Sequence, residues 1–82
     1  MPRHVTFERL RLNLIRHLRE RVHNGELTER RVARITGISQ PHLHNVLKGK
    51  RLLSIQKLDW ILSYLELDLV DLIEELNREE TE

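Results

Sequence analysis

Residues that start and stop helices punctuate this sequence at short, regular intervals, and that spacing fixes what the chain can fold into. Thr28, Ser39, Ser54 and Asp68 each offer a side-chain oxygen to the free amide groups at a helix start. Asn24-Gly25, Gly37 and Gly49 suit the left-handed turn that closes one. Between these marks apolar residues recur every three or four positions. Phe7, Leu10, Leu14, Leu18 and Val22 predict an amphipathic helix over roughly 6–23. A short second helix follows Thr28 with Val32 and Ala33 inward, and Ser39 begins a third with Pro41 in its first turn, where no intrahelical N–H is needed. The stripe Ile55, Leu58, Ile61, Leu62 and Leu65 predicts a fourth helix from Ser54 to about Tyr64–Leu65, and Asp68 caps a fifth from about Leu69 to Leu76. There is no sustained two-residue alternation, and Asn24-Gly25 is not flanked by β-branched runs. Connections of about two to six residues make 1–82 a single, compact, all-α domain of five helices.

Composition removes whole classes of function. The chain has 82 residues and no cysteine, which excludes disulfides, thiolate nucleophiles and Cys-ligated zinc. At this length the core is modest, so self-association would stabilise it. Phe7, Trp60 and Tyr64 are too few aromatics for a base-stacking platform. No apolar run approaches the roughly 20 residues of a membrane span, and the start MPRHVTFERL lacks the apolar stretch of a signal peptide, so a cytoplasmic, nucleoid-associated protein is expected. His42 and His44 lie two apart and diverge on a helix, while His4, His17 and His23 read as surface residues; neither metal nor other cofactor is expected. Without a nucleophile–base–orienter set or a Gly-rich phosphate loop, an enzyme is not expected. The five arginines of the first helix, Arg9, Arg11, Arg16, Arg19 and Arg21, read as a solvated face pairing with Glu8 and Glu20. The net charge of +1 hides a division: residues 1–51 carry 12 cations and four anions, a surplus of +8, and residues 52–82 carry two cations and nine anions, −7.

The basic part contains the tightest turn. Only Thr36, Gly37 and Ile38 separate the second helix from the Ser39 cap, which forces a steep crossing, and Ala33 is small enough to let the helices approach. That is the geometry of a helix-turn-helix over about 28–48. On the third helix Leu43, Val46 and Leu47 form the buried stripe, so Pro41, His44, Asn45 and Lys48 point away from it with Gln40 beside them. Gln40 and Asn45 each carry an amide able to bond adenine N6 and N7 together, a contact worth roughly 1–3 kcal/mol of discrimination. Pro41 offers only apolar contact, for instance with a thymine methyl. Neutral His44 both donates and accepts. Lys48, Lys50 and Arg51 cluster just after the helix, where cations neutralise phosphate, and the helix starts at Thr28 and Ser39 present amide groups to the same backbone.

The stretch LTERRVARITGISQPHLHNVLKGKRLLSIQKLDWILSYLELDLVDLI, residues 27–73, resembles the Cro/CI-type (XRE) helix-turn-helix family without gaps. Leu27-Thr28, Ala33, Gly37-Ile38-Ser39-Gln40, Leu43, Gly49-Lys50-Arg51, Ser54 and the Leu58, Ile61, Leu65 and Leu72 core carry the likeness. The resemblance implies a lambda-repressor-like fold and a homodimeric transcriptional regulator that binds double-stranded DNA sequence-specifically. It places Gln40, Pro41, His44 and Asn45 at bases, and Thr28, Glu29, His42, Lys48 and Lys50 near phosphates; Arg30, Ser39 and Arg51 join the phosphate set by position. Such a protein is expected to be repressor-like, with a pseudo-palindromic operator, and no small-molecule ligand is expected.

Three departures bear on function. Position 29, commonly Gln in the family, is Glu29, whose carboxylate repels phosphate unless Arg30, Arg31 and Arg34 compensate or Arg30 holds it away. Leu52-Leu53 replaces the usual polar residue and Pro. Trp60 and Tyr64 lie opposite the core stripe of the fourth helix and continue from Leu53 at helical spacing, which points to a two-fold dimer interface of Leu53, Trp60 and Tyr64, or to packing beneath a terminal segment. Glu74, Glu75, Glu79, Glu80 and Glu82 read as a solvated, fraying end of the acidic helix and tail, 68–82. The alternative reading is an antitoxin-like interaction module whose acidic C-terminal face binds a protein partner.

Overall fold

The computed structural model describes residues 5–80, arranged as α1 (Phe7–His23), α2 (Glu29–Thr36), α3 (Gln40–Leu47), α4 (Ile55–Tyr64) and α5 (Leu69–Glu80). His4, Glu82 and the side chains of Glu79 and Glu80 lie outside the described residues. The caps work as the sequence indicates: Thr28 Oγ1 accepts from Arg31 N–H at 3.1 Å, Ser39 Oγ from His42 N–H at 3.3 Å, Ser54 Oγ from Lys57 N–H at 3.3 Å and Asp68 Oδ1 from Val70 N–H at 2.9 Å. Thr6 does the same for α1. Gly37 closes α2 at φ 73°, a conformation that strains any residue with a Cβ.

Helix α1 is the spine. It packs against α3, α4 and α5, while α2 packs against α3 and α4. Leu18, Val32, Leu43, Ile61 and Leu72, one from each helix, are 2% exposed or less, so every helix is tied to the same apolar centre. Burying a side chain of this size contributes about 1.5–3 kcal/mol.

Three expectations change. Phe7 and Ile55 are the first residues of their helices and overhang the core at 81% and 66% exposure, because no neighbour among the described residues covers those ends; the buried stripes begin at Leu10 on α1 and at Leu58, half-buried, on α4. Helix α5 continues to Glu80, since Glu74, Glu75, Arg78, Glu79 and Glu80 sustain a helix and no Gly or Pro interrupts it. The third change concerns Glu75, which is not a solvated tail residue. Its Oε1 accepts from Asn13 Nδ2 at 2.7 Å, Arg16 Nη2 at 2.9 Å and His17 Nε2 at 2.9 Å, and Asn13 is 5% exposed. Of the α1 arginines, Arg11 does pair with Glu8, whereas Arg16 reaches across to α5.

Glu75 makes the α1–α5 seam pH-sensitive. Burial raises its carboxyl pKa, but the hydrogen bonds from Asn13 and His17 and the charges of His17 and Arg16 outweigh that and hold it below its ordinary value. A lowered carboxyl contributes stability that is fully present above the ordinary carboxylate range and is lost as pH falls through and below it. Urea denaturation of Glu75→Gln should therefore show lower stability than wild type at neutral pH and a smaller loss on acidification. Parallel curves for the two proteins would remove Glu75 from the clamp.

Candidate nucleic-acid interface

The turn between α2 and α3 is held at three points. Thr36 is 1% exposed; its Oγ1 donates to Val32 O at 2.7 Å and accepts from Ile38 N–H at 3.4 Å, locking the backbone on both sides of Gly37. Lys57 Nζ, from α4, donates to Thr36 O at 3.2 Å and closes the C-terminal end of α2. Arg19 Nε, from α1, donates to Leu47 O at 2.8 Å and does the same for α3. A cation at a helix C-terminus satisfies an orphan carbonyl and complements the negative end of the helix dipole. Leu43, Val46 and Leu47 fix the buried side of α3, at 0%, 2% and 7% exposure.

The opposite side of α3 faces outward. Gln40, Pro41 and His44 are exposed and Asn45 is half-buried; together with Glu29 they line one shallow recess between the start of α2 and the outer face of α3. The side chains of Gln40 and Asn45 have no hydrogen-bond partner within the described residues, so both amides remain available. Lys48, Lys50 and Arg51 follow on an exposed loop in which Lys50 N–H donates to Asn45 O at 2.8 Å. Thr28, Arg30 and Ser39 are exposed at the helix starts, and His42 is half-buried on α3.

Glu29 is not held by Arg30. Its two carboxylate oxygens lie 3.2 Å from His44 Nδ1, joining the first residue of α2 to the middle of α3. Helix α2 packs against α3, so residues 15 apart in sequence meet, which helical periodicity does not register. The expected stripe of Leu53, Trp60 and Tyr64 also divides. Leu53 is 9% exposed and belongs to the core, because the loop before α4 turns it inward. Tyr64 is half-buried against the same core, while Trp60 is 45% exposed with Lys57 Nζ 4.4 Å above its ring. Trp60 thus steadies the lysine that closes α2, a cation–π contact worth about 0.5–1 kcal/mol at an exposed site.

A short, capped α2, a left-handed Gly37 and a second helix packed against it with its polar face exposed are the parts of a helix-turn-helix. The sequence matches the model of a helix-turn-helix domain family over residues 13–76. The chain belongs to that family. The match is consistent with a regulator of the Cro/CI type, and the matched span takes in every helix, from the middle of α1 to most of α5. No curated protein and no solved structure matches the chain. This helix-turn-helix domain suggests a DNA-binding regulator. Among the described residues no group of acidic or histidine side chains could hold a metal ion, and no helix is long and apolar enough to cross a membrane.

Proposed function

We propose that this chain is a sequence-specific, double-stranded-DNA-binding transcriptional regulator of repressor type, acting as a homodimer on a pseudo-palindromic operator. One observation carries the reading: the unpaired amides of Gln40 and Asn45 share the outward face of a helix whose other face and C-terminal end are anchored. In this reading α3 lies in the major groove, with Gln40, Pro41, His44 and Asn45 at base edges. Thr28, Arg30, Ser39, His42, Lys48, Lys50 and Arg51 meet phosphates, which set register without reading sequence. Glu29 acts through His44 instead of through phosphate. Selection from a random duplex library should enrich a motif with two-fold symmetry. No enrichment would shift weight to a protein partner at the acidic α5 face.

Lys48 supplies a second test. Each phosphate neutralised by a cation releases about 0.9 counterion, so Lys48→Ala should flatten the log–log dependence of affinity on salt by about one ion. An unchanged slope would take Lys48 out of the phosphate set.

For the dimer, the exposed apolar surface favours a groove between the starts of α1, α4 and α5, with Phe7, Ile55 and Leu69 at its rim and Leu53 among the residues beneath. A two-fold axis beside it would seat Phe7 of each copy in the groove of the other. Ile55→Asp, at a position already exposed, should shift the protein towards monomer in light scattering, and Trp60→Ala should leave it dimeric. The reverse pattern would return the interface to the Trp60 and Tyr64 face of α4.

A further inference from the structure

The pairing of Glu29 with His44 makes the carboxylate part of the reading surface without touching DNA. Both Glu29 oxygens accept only, and both lie 3.2 Å from His44 Nδ1, so the ring nitrogen facing them carries the hydrogen. In a neutral imidazole one nitrogen donates and the other accepts, and the hydrogen bond made by one decides the state of the other. In the neutral ring Nε2 is therefore left with a lone pair. The His44 side chain is 48% exposed against 27% for Glu29, no other group within the described residues bonds the ring, and it lines the same recess as Gln40, Pro41 and Asn45.

We propose that Glu29 is a positioning residue that fixes His44 in the Nδ1–H form, so that His44 reads a base as a hydrogen-bond acceptor. In the major groove the donors are the amino groups of adenine N6 and cytosine N4, and the acceptors are guanine O6 and N7, thymine O4 and adenine N7, so cytosine offers only a donor, guanine and thymine only acceptors, and adenine both. Every base pair carries one such amino group in the major groove, so it is the individual base facing His44 that is selected for it. Without Glu29 the ring is free to carry its hydrogen on Nε2, and the same side chain then donates to guanine, thymine or adenine N7, but no longer bonds cytosine. This rests on the DNA-reading role given to α3 above. It also accounts for an acidic residue on a surface otherwise set to meet phosphate: the carboxylate is committed to the imidazole.

Two measurements test it, and the first needs no DNA. Long-range 1H–15N spectra of the free protein at about pH 8, where imidazole is ordinarily neutral, should show His44 with its hydrogen on Nδ1 in wild type and shifted towards Nε2 in Glu29→Ala, with Glu29→Asp partly restoring the first pattern. A ring already in the Nε2–H form in wild type overturns the proposal. Duplex selection with wild type and Glu29→Ala should then show, at one position per half-site, cytosine losing ground to guanine or thymine by about tenfold. In a His44→Ala background, Glu29→Ala should leave that position unchanged. Loss of one negative charge near phosphates alters affinity for all sequences alike, so a uniform change without a shifted base overturns the proposal while leaving DNA reading by α3 intact. Failure of both proteins to select any motif would instead defeat the DNA reading, and this inference with it.

Discussion

Leu43→Ala should lower the unfolding free energy by about 2–5 kcal/mol. Leu43 is fully buried and lies on the side of α3 that packs against α1 and α2, so shortening it leaves a void where three helices meet. Leu18 and Val32, fully buried on the helices that α3 packs against, belong to helices held by further contacts of their own, which limits how far the site can collapse. Small domains are stable by only about 5–15 kcal/mol in total, so the midpoint of thermal unfolding should fall by roughly 4–8 °C for each kcal/mol lost. DNA affinity should fall with it at temperatures near that midpoint and recover on cooling. A change under 1 kcal/mol in urea denaturation would mean that α3 is not anchored where its burial places it.

Asn45→Ala should separate recognition from folding. The half-buried Asn45 side chain has no partner within the described residues, and the hydrogen bond that Asn45 makes with Lys50 uses its backbone carbonyl, which alanine keeps. Thermal stability should therefore stay near that of wild type. Specific affinity should drop by about 1–3 kcal/mol, a factor of roughly 5 to 150, as expected for loss of a bidentate amide–adenine contact. Affinity for random duplex should be nearly unchanged, because phosphate contacts are indifferent to sequence. Equal losses on both DNAs would place Asn45 at the backbone.

What could be read in the sequence was what short segments decide by themselves. The caps at Thr28, Ser39 and Ser54 and the left-handed Gly37 are local devices, so the helix starts and the tight turn of the helix-turn-helix followed from residue types and spacing. The outward face of α3 followed as well, because an eight-residue helix with Leu43, Val46 and Leu47 buried has only one other side. What could not be read depends on where distant segments meet. Arg19 reaches Leu47 across 28 residues, Lys57 reaches Thr36 across 21 and Asn13 reaches Glu75 across 62. Helix C-termini attract cations in general, but nothing local says which of 14 Lys and Arg will arrive. Periodicity likewise gives the phase of a stripe and not its covered length, which is why Phe7 and Ile55 overhang the core while Leu53 turns into it.

The division of charge acquires a use in this fold. The basic segment supplies α1, α2, α3 and the loop at Gly49-Lys50-Arg51, and the acidic segment supplies α4 and α5. Under the DNA-binding reading proposed above, such a division would orient the molecule towards a polyanion before contact and raise the rate of association at low salt. One of the acidic residues, Glu75, is already committed to Asn13, Arg16 and His17, so the face that α5 leaves for any other partner is narrower than its sequence suggests.

The most direct test of the DNA-reading face is a map of backbone amide shifts in the 15N-labelled protein titrated with a short mixed-sequence duplex at low salt. Changes should concentrate at residues 28–31 and 39–51, leave α5 quiet, and fade as salt is added. Changes confined to α5, or none at all, would contradict the assignment of this face to DNA.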